Sequence, residues 1–484
     1  MTRFEGFYVA ADDWRSFRDG RLLTEPEPEP PPPDPDPPPL TGQVIGINTT
    51  DTRLAEWKRR SESGPYRVFN DVGSNSPGDW DRITAYATAF STSMPYWHYN
   101  LDPHTGGNDS GFVTAMRARD AAFSALVESN LTLGNQVMTW MVGQANNFSW
   151  LARPPATEPE SNFTHMEWLA TYVFAYDYLR TAGVGTTQQR ATVEQWMKDG
   201  CTWRIDPHWS EGDTGSWYQG TWVGDRYDLV PSEVHGTTDE LAINRTHVTG
   251  HQTSVSGRSM NNRRLSIMSV GAYVGLLTGE LKWVNWTKQW IKEWLVVGAY
   301  PDLDAAEYQR GMQDETNSEV GWAYMGSKMR MLFLVMDALA IRGDMELVNW
   351  ATEVGIAGTE GSPAKTLLAQ AIGYARYGND GHSPHRYGGT NTTAGDIAMR
   401  MDGRQDRNGS QFRYVSDVTL GLANIWFNNA ELKAAYLRNT AQGHVPYWTN
   451  PSSVGPRAGE VQYMGGNGGV PGMLFMFGQM EDSL

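Results

Sequence analysis

Hydrophobic residues along most of the chain recur with a helical period. Apolar side chains return at spacings of three and four residues, and many of the segments that show this end at a glycine. These segments are 80–92, 112–129, 166–183, 186–200, 260–279, 280–298, 318–343, 344–355, 363–378 and 415–427. A glycine at such a place supplies the left-handed conformation that closes a helix. The pattern therefore predicts an all-α fold.

Short connections join some of these segments into pairs. In "LLTGELKW" and "AIRGDMEL", one predicted helix ends at glycine and the next begins at once, which favours αα-hairpins. A series of such hairpins predicts an (α/α) toroid or an incomplete barrel. Two long polar stretches, 201–254 and 377–411, are rich in glycine and aromatic residues. Loops of that length are uncommon unless they carry function, so we expect them to form the rim of a cleft.

The N-terminal part of the chain contains a proline-acid tract, "EPEPEPPPPDPDPPP". Proline fixes φ and removes a backbone donor, which favours an extended spacer. We therefore predict a short attachment or tail segment at 1–24, a linker at 25–40 and the helical catalytic domain at 41–484. Within that domain, residues 41–61 predict a short apolar segment and a turn that lead into irregular chain.

Composition excludes several classes of protein. The formal net charge of −16 argues against nucleic acid as a partner, because a phosphate-binding surface needs a cationic footprint. No run of 18 apolar residues is present, so no membrane insertion is expected. The first residues lack the apolar core of a secretory signal. The single cysteine, Cys201, excludes an intramolecular disulfide and predicts a buried thiol.

Polar residues cluster at the start of the apolar segment 260–279. In a helix that begins near Arg258, Arg258 and Asn262 lie four residues apart and share a face. Amide and guanidinium donors in a first turn would face a negative ligand together with the positive end of the helix dipole. The alternative is an N-terminal cap with a solvated first turn. Downstream, Glu307 and Arg310 are typical of a surface ion pair, and Tyr324 of a core residue with one wet edge.

Taken in order, these motifs resemble a known family. "HMEWLATYVFAYDYLRTAG", "NNRR" with "GAYVGLLTGE", "YPDLDAAEYQRG" and a tyrosine-bearing helix look like the helical alginate lyases and related polysaccharide lyases. The resemblance covers roughly residues 162–343. It implies an (α/α) toroid that cleaves an anionic uronic-acid polysaccharide by β-elimination.

Elimination needs donors for the uronate carboxylate, a base for the C5 proton and an acid for the leaving O4. The resemblance implies that Asn262 grips the carboxylate, Arg310 neutralises charge and Tyr324 is the acid and a candidate base. Where the family has histidine after the asparagine pair, this chain has Arg263, which is either a second clamp or a sign that the mechanism differs. His251 is then the preferred base, ahead of His165, His382 and His385. The predicted substrate contacts are Arg258, Asn261, His165, Trp140, Glu307, His385 and Arg386.

No motif for a metal or a cofactor is present, and none is expected. Two other functions remain open. A helical-toroid glycoside hydrolase would need two carboxylates across a cleft, for which Asp225, Asp228, Asp302, Asp304 and Glu307 are candidates. A virion-associated glycan-binding depolymerase component would explain why no signal peptide precedes a chain that acts on extracellular glycan. Cytoplasmic synthesis, attachment to a virion or tail through residues 1–24 and release by lysis would then follow.

Overall fold

A computed structural model of the chain describes residues 17–18, 21–22, 42–62, 68–71, 74–77, 79–98, 110–152, 163–206, 262–297, 299, 318–351, 364–379, 416–434, 470–471 and 473–477. Most of these residues are helical, which confirms the predicted predominance of α-helix. Two short antiparallel hairpins pair β1 (Phe17–Arg18) with β2 (Arg21–Leu22) and β3 (Val68–Asp71) with β4 (Ser74–Pro77).

The helices alternate in chain order with turns and with the gaps between the described ranges. They are α1 (Asp51–Glu62), α2 (Asp79–Thr88), α3 (Gly111–Val127), α4 (Leu131–Asn147), α5 (Phe163–Thr181), α6 (Thr187–Arg204), α7 (Asn262–Thr278), α8 (Leu281–Val297), α9 (Ser318–Ala340), α10 (Glu346–Asn349), α11 (Leu367–Asn379), α12 (Ser416–Phe427) and α13 (Met473–Phe477). A 3-10 turn, Trp150–Ala152, lies between α4 and α5.

Several elements differ from the sequence prediction. Residues 201–204, expected to open a long loop, belong to α6, and α2 ends at Thr88 rather than at residue 92. The expectation of irregular chain up to residue 61 is wrong, because α1 begins at Asp51, where the Thr50 hydroxyl accepts a hydrogen bond from the Arg53 amide. Helix α4 was not predicted, although Asn130 caps it. Helix α10 ends at Asn349 rather than running to residue 355, because Ala351 forms a β-bridge with Thr366 and needs extended backbone.

The helix contacts fall into an inner row and an outer set. Helices α3, α5, α7, α9 and α12 each contact the next in that order, and α13 joins α12 to α1 and α2, which both contact α3. The outer helices each contact members of this row: α4 packs on α3 and α5, α6 on α5 and α7, α8 on α7, and α11 on α9 and α12. Chain order therefore alternates between the inner row and the outer set.

Neighbouring inner helices run parallel. The Trp168 indole near the start of α5 donates to the carbonyl of Gly111, the first residue of α3. Midway along α5, the Phe174 ring lies 4.9 Å from the Tyr273 ring of α7. Near the ends of both helices, Arg180 Nη1 donates to the Leu277 carbonyl at 2.6 Å. These helices therefore begin at one end of the fold, here the N-terminal pole, and finish at the other, the C-terminal pole.

Residues 44–50, here the crossing segment, span the C-terminal pole. The Ile47 amide donates to Asp177 Oδ2 of α5 at 2.9 Å, and Asn48 Nδ2 donates to Asp337 Oδ2 of α9 at 2.7 Å. Both acids lie in the last turns of their helices. Because adjacent residues of one segment reach both, α9 must finish at the same pole as α5.

Charged side chains fix the crossing segment in place. Arg342, just after α9, donates to the carbonyls of Gly46 and Ile47, both at 2.7 Å. Asp337 is fully buried and accepts two bonds from Arg53, at 2.7 and 2.6 Å, and one from the Trp426 indole at 2.8 Å. Multiple charge-assisted bonds of this kind compensate for the cost of burying the carboxylate.

The described helices also bear on two predictions made from composition. None of them combines the length and the apolar character needed to cross a bilayer. Cys201 is fully buried in α6, and burial raises the pKa of its thiol, which confirms the predicted buried cysteine.

We predict that Arg53→Met destabilises the fold by about 3–5 kcal/mol, because it leaves the Asp337 carboxylate buried without its guanidinium partner. Urea unfolding measures the loss. Arg59→Met on the same helix is the matched control, because the Arg59 side chain is 50% exposed and its pair with Glu56 should contribute less than about 1 kcal/mol. Equal losses in the two variants would contradict the proposed role of Asp337.

The buried carboxyl of Asp177 should make the stability of the fold depend on pH. Burial raises the pKa of its carboxyl from 3.8 to about 7, against the opposing effects of the Ile47 amide, Arg342 and Arg180. A folded-state pKa above the unfolded value stabilises the fold at low pH, and this contribution is lost as pH rises through about 7. Asp177→Asn should therefore gain stability relative to wild type as pH rises from about 4 to about 8.

Urea unfolding across that pH range tests the sign. Asp344→Asn is the control, because its partner Lys288 lowers the pKa of Asp344 despite partial burial, so this group titrates below the range tested and the stability difference from wild type should change little across it. A stability difference between Asp177→Asn and wild type that stays constant with pH would refute the assignment.

Candidate functional site

The first turns of α5 and α7 lie side by side at the N-terminal pole. The Ser266 hydroxyl of α7 donates to Glu167 Oε1 of α5 at 2.9 Å, and both side chains are buried. Helix α7 begins at Asn262, so Asn262 and Arg263 form the turn that precedes Ser266. The backbone thus places this predicted catalytic pair level with the first turn of α5, while their side chains lie outside the described part of the chain.

His165 lies in the first turn of α5, but its ring packs among aromatic side chains. It is 3% exposed, and its centroid is 6.4 Å from those of Phe148 and Trp203. Trp203 belongs to the outer helix α6. A histidine enclosed in this way has little surface for a substrate, so we assign His165 to the packing between α5 and α6.

Trp140, a predicted substrate contact, is a core residue of α4. Its side chain is 1% exposed, its indole donates to the Met94 carbonyl at 3.0 Å, and its ring stacks on Tyr172 with centroids 6.0 Å apart. Stacking on a sugar needs a free aromatic face. We therefore do not include Trp140 among the residues of the site.

Helix α9 carries Tyr324 in its N-terminal third, on a part of the helix whose side chains are not described. Further along α9, Lys328 and Arg330 are buried, as is Arg264 in the first turn of α7. Lys328 Nζ lies 4.9 Å from the ring centroid of Trp294 on the outer helix α8. Burial lowers the pKa of Arg330 to about 10, which still leaves its guanidinium charged near neutral pH. Lys328 and Arg330 lie near the middle of α9, so of these three residues only Arg264 is placed at the N-terminal pole.

The remaining predicted site residues lie outside the described ranges. They are Arg258, Asn261, His251, Glu307, Arg310, His385 and Arg386, together with His382 and the candidate hydrolase acids Asp225, Asp228, Asp302 and Asp304. In the sequence these positions fall in 207–261, 300–317 and 380–415, the segments that lead into α7, α9 and α12 respectively.

Sequence reasoning did not single out Glu167 and Ser266. The available signal was the position of Glu167: a carboxylate in a largely apolar helix must find a buried partner if that helix is enclosed on all sides. The partner is a serine 99 residues away, and nothing in the sequence pairs the two.

We predict that Trp140→Ala costs about 3–5 kcal/mol of stability, because it opens a cavity in the core and removes a hydrogen-bond donor. Leu131→Ala on the same helix is the control. Its side chain is 56% exposed, and the change should stay within about 0.5 kcal/mol. Thermal unfolding measures the stability of both variants. A Trp140→Ala protein as stable as wild type would contradict a core position for Trp140 and make it a candidate substrate contact again.

The N-terminal pole thus combines two level helix starts with the buried Arg264. Among the described residues, no group of three histidine, cysteine or acidic side chains is placed to hold a metal ion. Comparison of the chain with models of known protein families, with curated protein sequences and with solved structures finds no match. Any functional conclusion must therefore be drawn from the residues and geometry of this chain.

Proposed function

We propose that the helices form an (α/α) toroid. The support is the alternation of inner and outer helices in chain order, with neighbouring inner helices parallel. The series of inner contacts also returns on itself through α13, α1 and α2. Trp57 of α1 donates to the Met476 carbonyl of α13, and Trp80 of α2 stacks on Phe475 at 4.8 Å, which strengthens this last connection.

We further propose that the chain is a polysaccharide lyase that cleaves an anionic uronic-acid polysaccharide, alginate or a related uronan, by β-elimination. The observation that carries the proposal is the common pole at which α5, α7 and α9 begin. The motifs that resemble the lyase family are separated by tens of residues in sequence, yet each belongs to one of these helices or directly precedes it. Residues from these separate motifs can form one site only if the three helices begin at the same pole.

Charge at the N-terminal pole suits a carboxylate ligand. The N-terminus of a helix carries partial positive charge, and α5 and α7 present theirs side by side. The buried Arg264, in the first turn of α7, adds positive charge at this pole. A chain with a net charge of −16 repels a polyanion at long range, so a local concentration of cations is what such a substrate needs.

In the proposed mechanism, Asn262, Arg263 and Arg310 hold the uronate carboxylate and stabilise the charge that develops on it as the C5 proton leaves. Neutralising that carboxylate makes the C5 proton acidic enough to remove. His251 takes the proton, and Tyr324 donates one to the departing O4. Tyr324 is the second candidate for the base, because nearby arginines would lower the pKa of its hydroxyl.

A product assay tests the reaction class. Purified protein is incubated with alginate, polymannuronate, polyguluronate, glucuronan and pectate, and ultraviolet absorbance is followed together with reducing ends. Elimination creates a conjugated double bond, so both signals should rise together on at least one polymer. Reducing ends without absorbance would replace the lyase with a glycoside hydrolase, and silence on every polymer would favour a glycan-binding protein.

We predict that Asn262→Ala and Arg263→Ala each lower kcat/KM by about 10²–10³-fold on the cleaved polymer, because each removes a donor to the developing charge. Asn135→Ala on α4 and Arg59→Ala on α1 are matched controls at exposed positions and should keep wild-type rates. Wild-type kinetics in both site variants would remove the first turn of α7 from the site.

A further inference from the structure

We propose that Glu167 is a positioning residue that holds the first turn of α7 in the orientation needed to bind the substrate carboxylate. This inference rests on the proposed lyase function. It starts from the hydrogen bond of 2.9 Å between the Ser266 hydroxyl and Glu167 Oε1, which joins two inner helices at the N-terminal pole. Glu167 is 7% exposed and Ser266 is 2% exposed, so the bond is shielded from competing water.

Helical geometry connects this hydrogen bond to Asn262 and Arg263, the proposed carboxylate clamp. Residues three and four apart on a helix share a face. Ser266 therefore lies on the same face of α7 as positions 262 and 263, one turn further along. A bond from Ser266 to α5 fixes the rotation of α7 about its axis, and with it the direction of the face that carries Asn262 and Arg263.

The seam between α5 and α7 is held at three levels. Phe174 packs on Tyr273 at its middle, and Arg180 donates to the Leu277 carbonyl near its end. The Glu167–Ser266 bond is a polar contact at the start of the seam. Loss of that bond leaves the two lower contacts in place, so the helix pair should remain folded while its first turn gains freedom.

Electrostatics explains a carboxylate at this position. Glu167 is the fifth residue of α5, just past the first turn of the helix. The neighbouring first turn of α7 contains Arg263 and the buried Arg264. A negative group on α5 opposes the repulsion within that basic turn and favours its approach to α5.

Loss of the Glu167–Ser266 bond should raise the free energy of the transition state more than that of the bound substrate. A displacement of about 1 Å in a positioned group can cost about 10²-fold in rate. The clamp proposed here acts mainly on charge that develops during proton removal, so a loosened first turn should lower kcat more than it raises KM.

Three substitutions separate the hydrogen bond from the charge. Ser266→Ala removes the donor, Glu167→Ala removes the acceptor, and Glu167→Gln keeps an acceptor oxygen without the charge. We expect Ser266→Ala and Glu167→Ala to lower kcat by about 10-fold with KM changed less than about threefold. Glu167→Gln should recover most of the loss if the bond does the positioning. Ser269→Ala is the matched control, because Ser269 is also buried in α7 but donates to the carbonyl of Ser266 within its own helix.

Hydrogen exchange on the full chain gives a readout that does not require activity. Amides in the first turn of α7 should exchange at least about tenfold faster in Ser266→Ala than in Ser269→Ala, with the lower part of the α5–α7 seam unchanged. An active wild type with unchanged kcat and unchanged exchange in Ser266→Ala would overturn the positioning role. A wild type that eliminates no uronan would refute the lyase proposal, and exchange alone would then decide whether Glu167 orders the turn.

Discussion

The fold depends on the fully buried carboxylate of Asp337. Its oxygens accept hydrogen bonds from Arg53 of α1, Asn48 of the crossing segment and Trp426 of α12. Three parts of the chain that are far apart in sequence, residues 48–53, α9 and α12, therefore meet at one charge near the end of α9. A buried charge tolerates few arrangements, because every unmade bond to it is costly. This constraint fixes which ends of the inner helices lie together.

The two poles consequently have different chemistry. At the C-terminal pole, the buried acids Asp177 and Asp337 face the crossing segment together with Arg342 and Arg53. Acids there are opposed by the negative ends of the helix dipoles and need these arginines. At the N-terminal pole the dipoles are positive, so a negative ligand is favoured without such compensation. Parallel packing of the inner helices therefore makes the electrostatics unfavourable for the buried acids at the C-terminal pole. The same packing favours a negative ligand at the proposed binding site on the N-terminal pole.

Sequence patterns predicted the inner helices well, because helices enclosed on both sides carry dense apolar residues, as in α5, α7 and α9. They failed for α1, whose buried face holds little more than Trp57 and Arg60, and for α4, whose buried face includes Gly134 and Gln144 among its apolar residues. Periodicity reports burial, so a helix with a narrow buried face gives a weak signal.

The candidate site was predictable only in part. The asparagine-arginine cluster could be singled out because four consecutive polar residues, 261–264, stand at the head of an otherwise apolar segment. Residue type favours Trp140 and His165 as site residues, but it does not distinguish a ring in the core from one in a cleft. The Glu167–Ser266 bond depends on the register of α5 against α7, which is set by packing along the whole seam.

Cleavage of the susceptible uronan in oxygen-18 water tests the central claim most directly. Elimination breaks the C4–O4 bond without adding water, so mass spectrometry of products from a short incubation should show unsaturated ends and no heavy oxygen. A reducing-sugar standard without enzyme measures the background exchange at the new ends. One heavy oxygen per cleavage above that background would mean that water attacks the glycosidic bond, and the lyase assignment would be wrong.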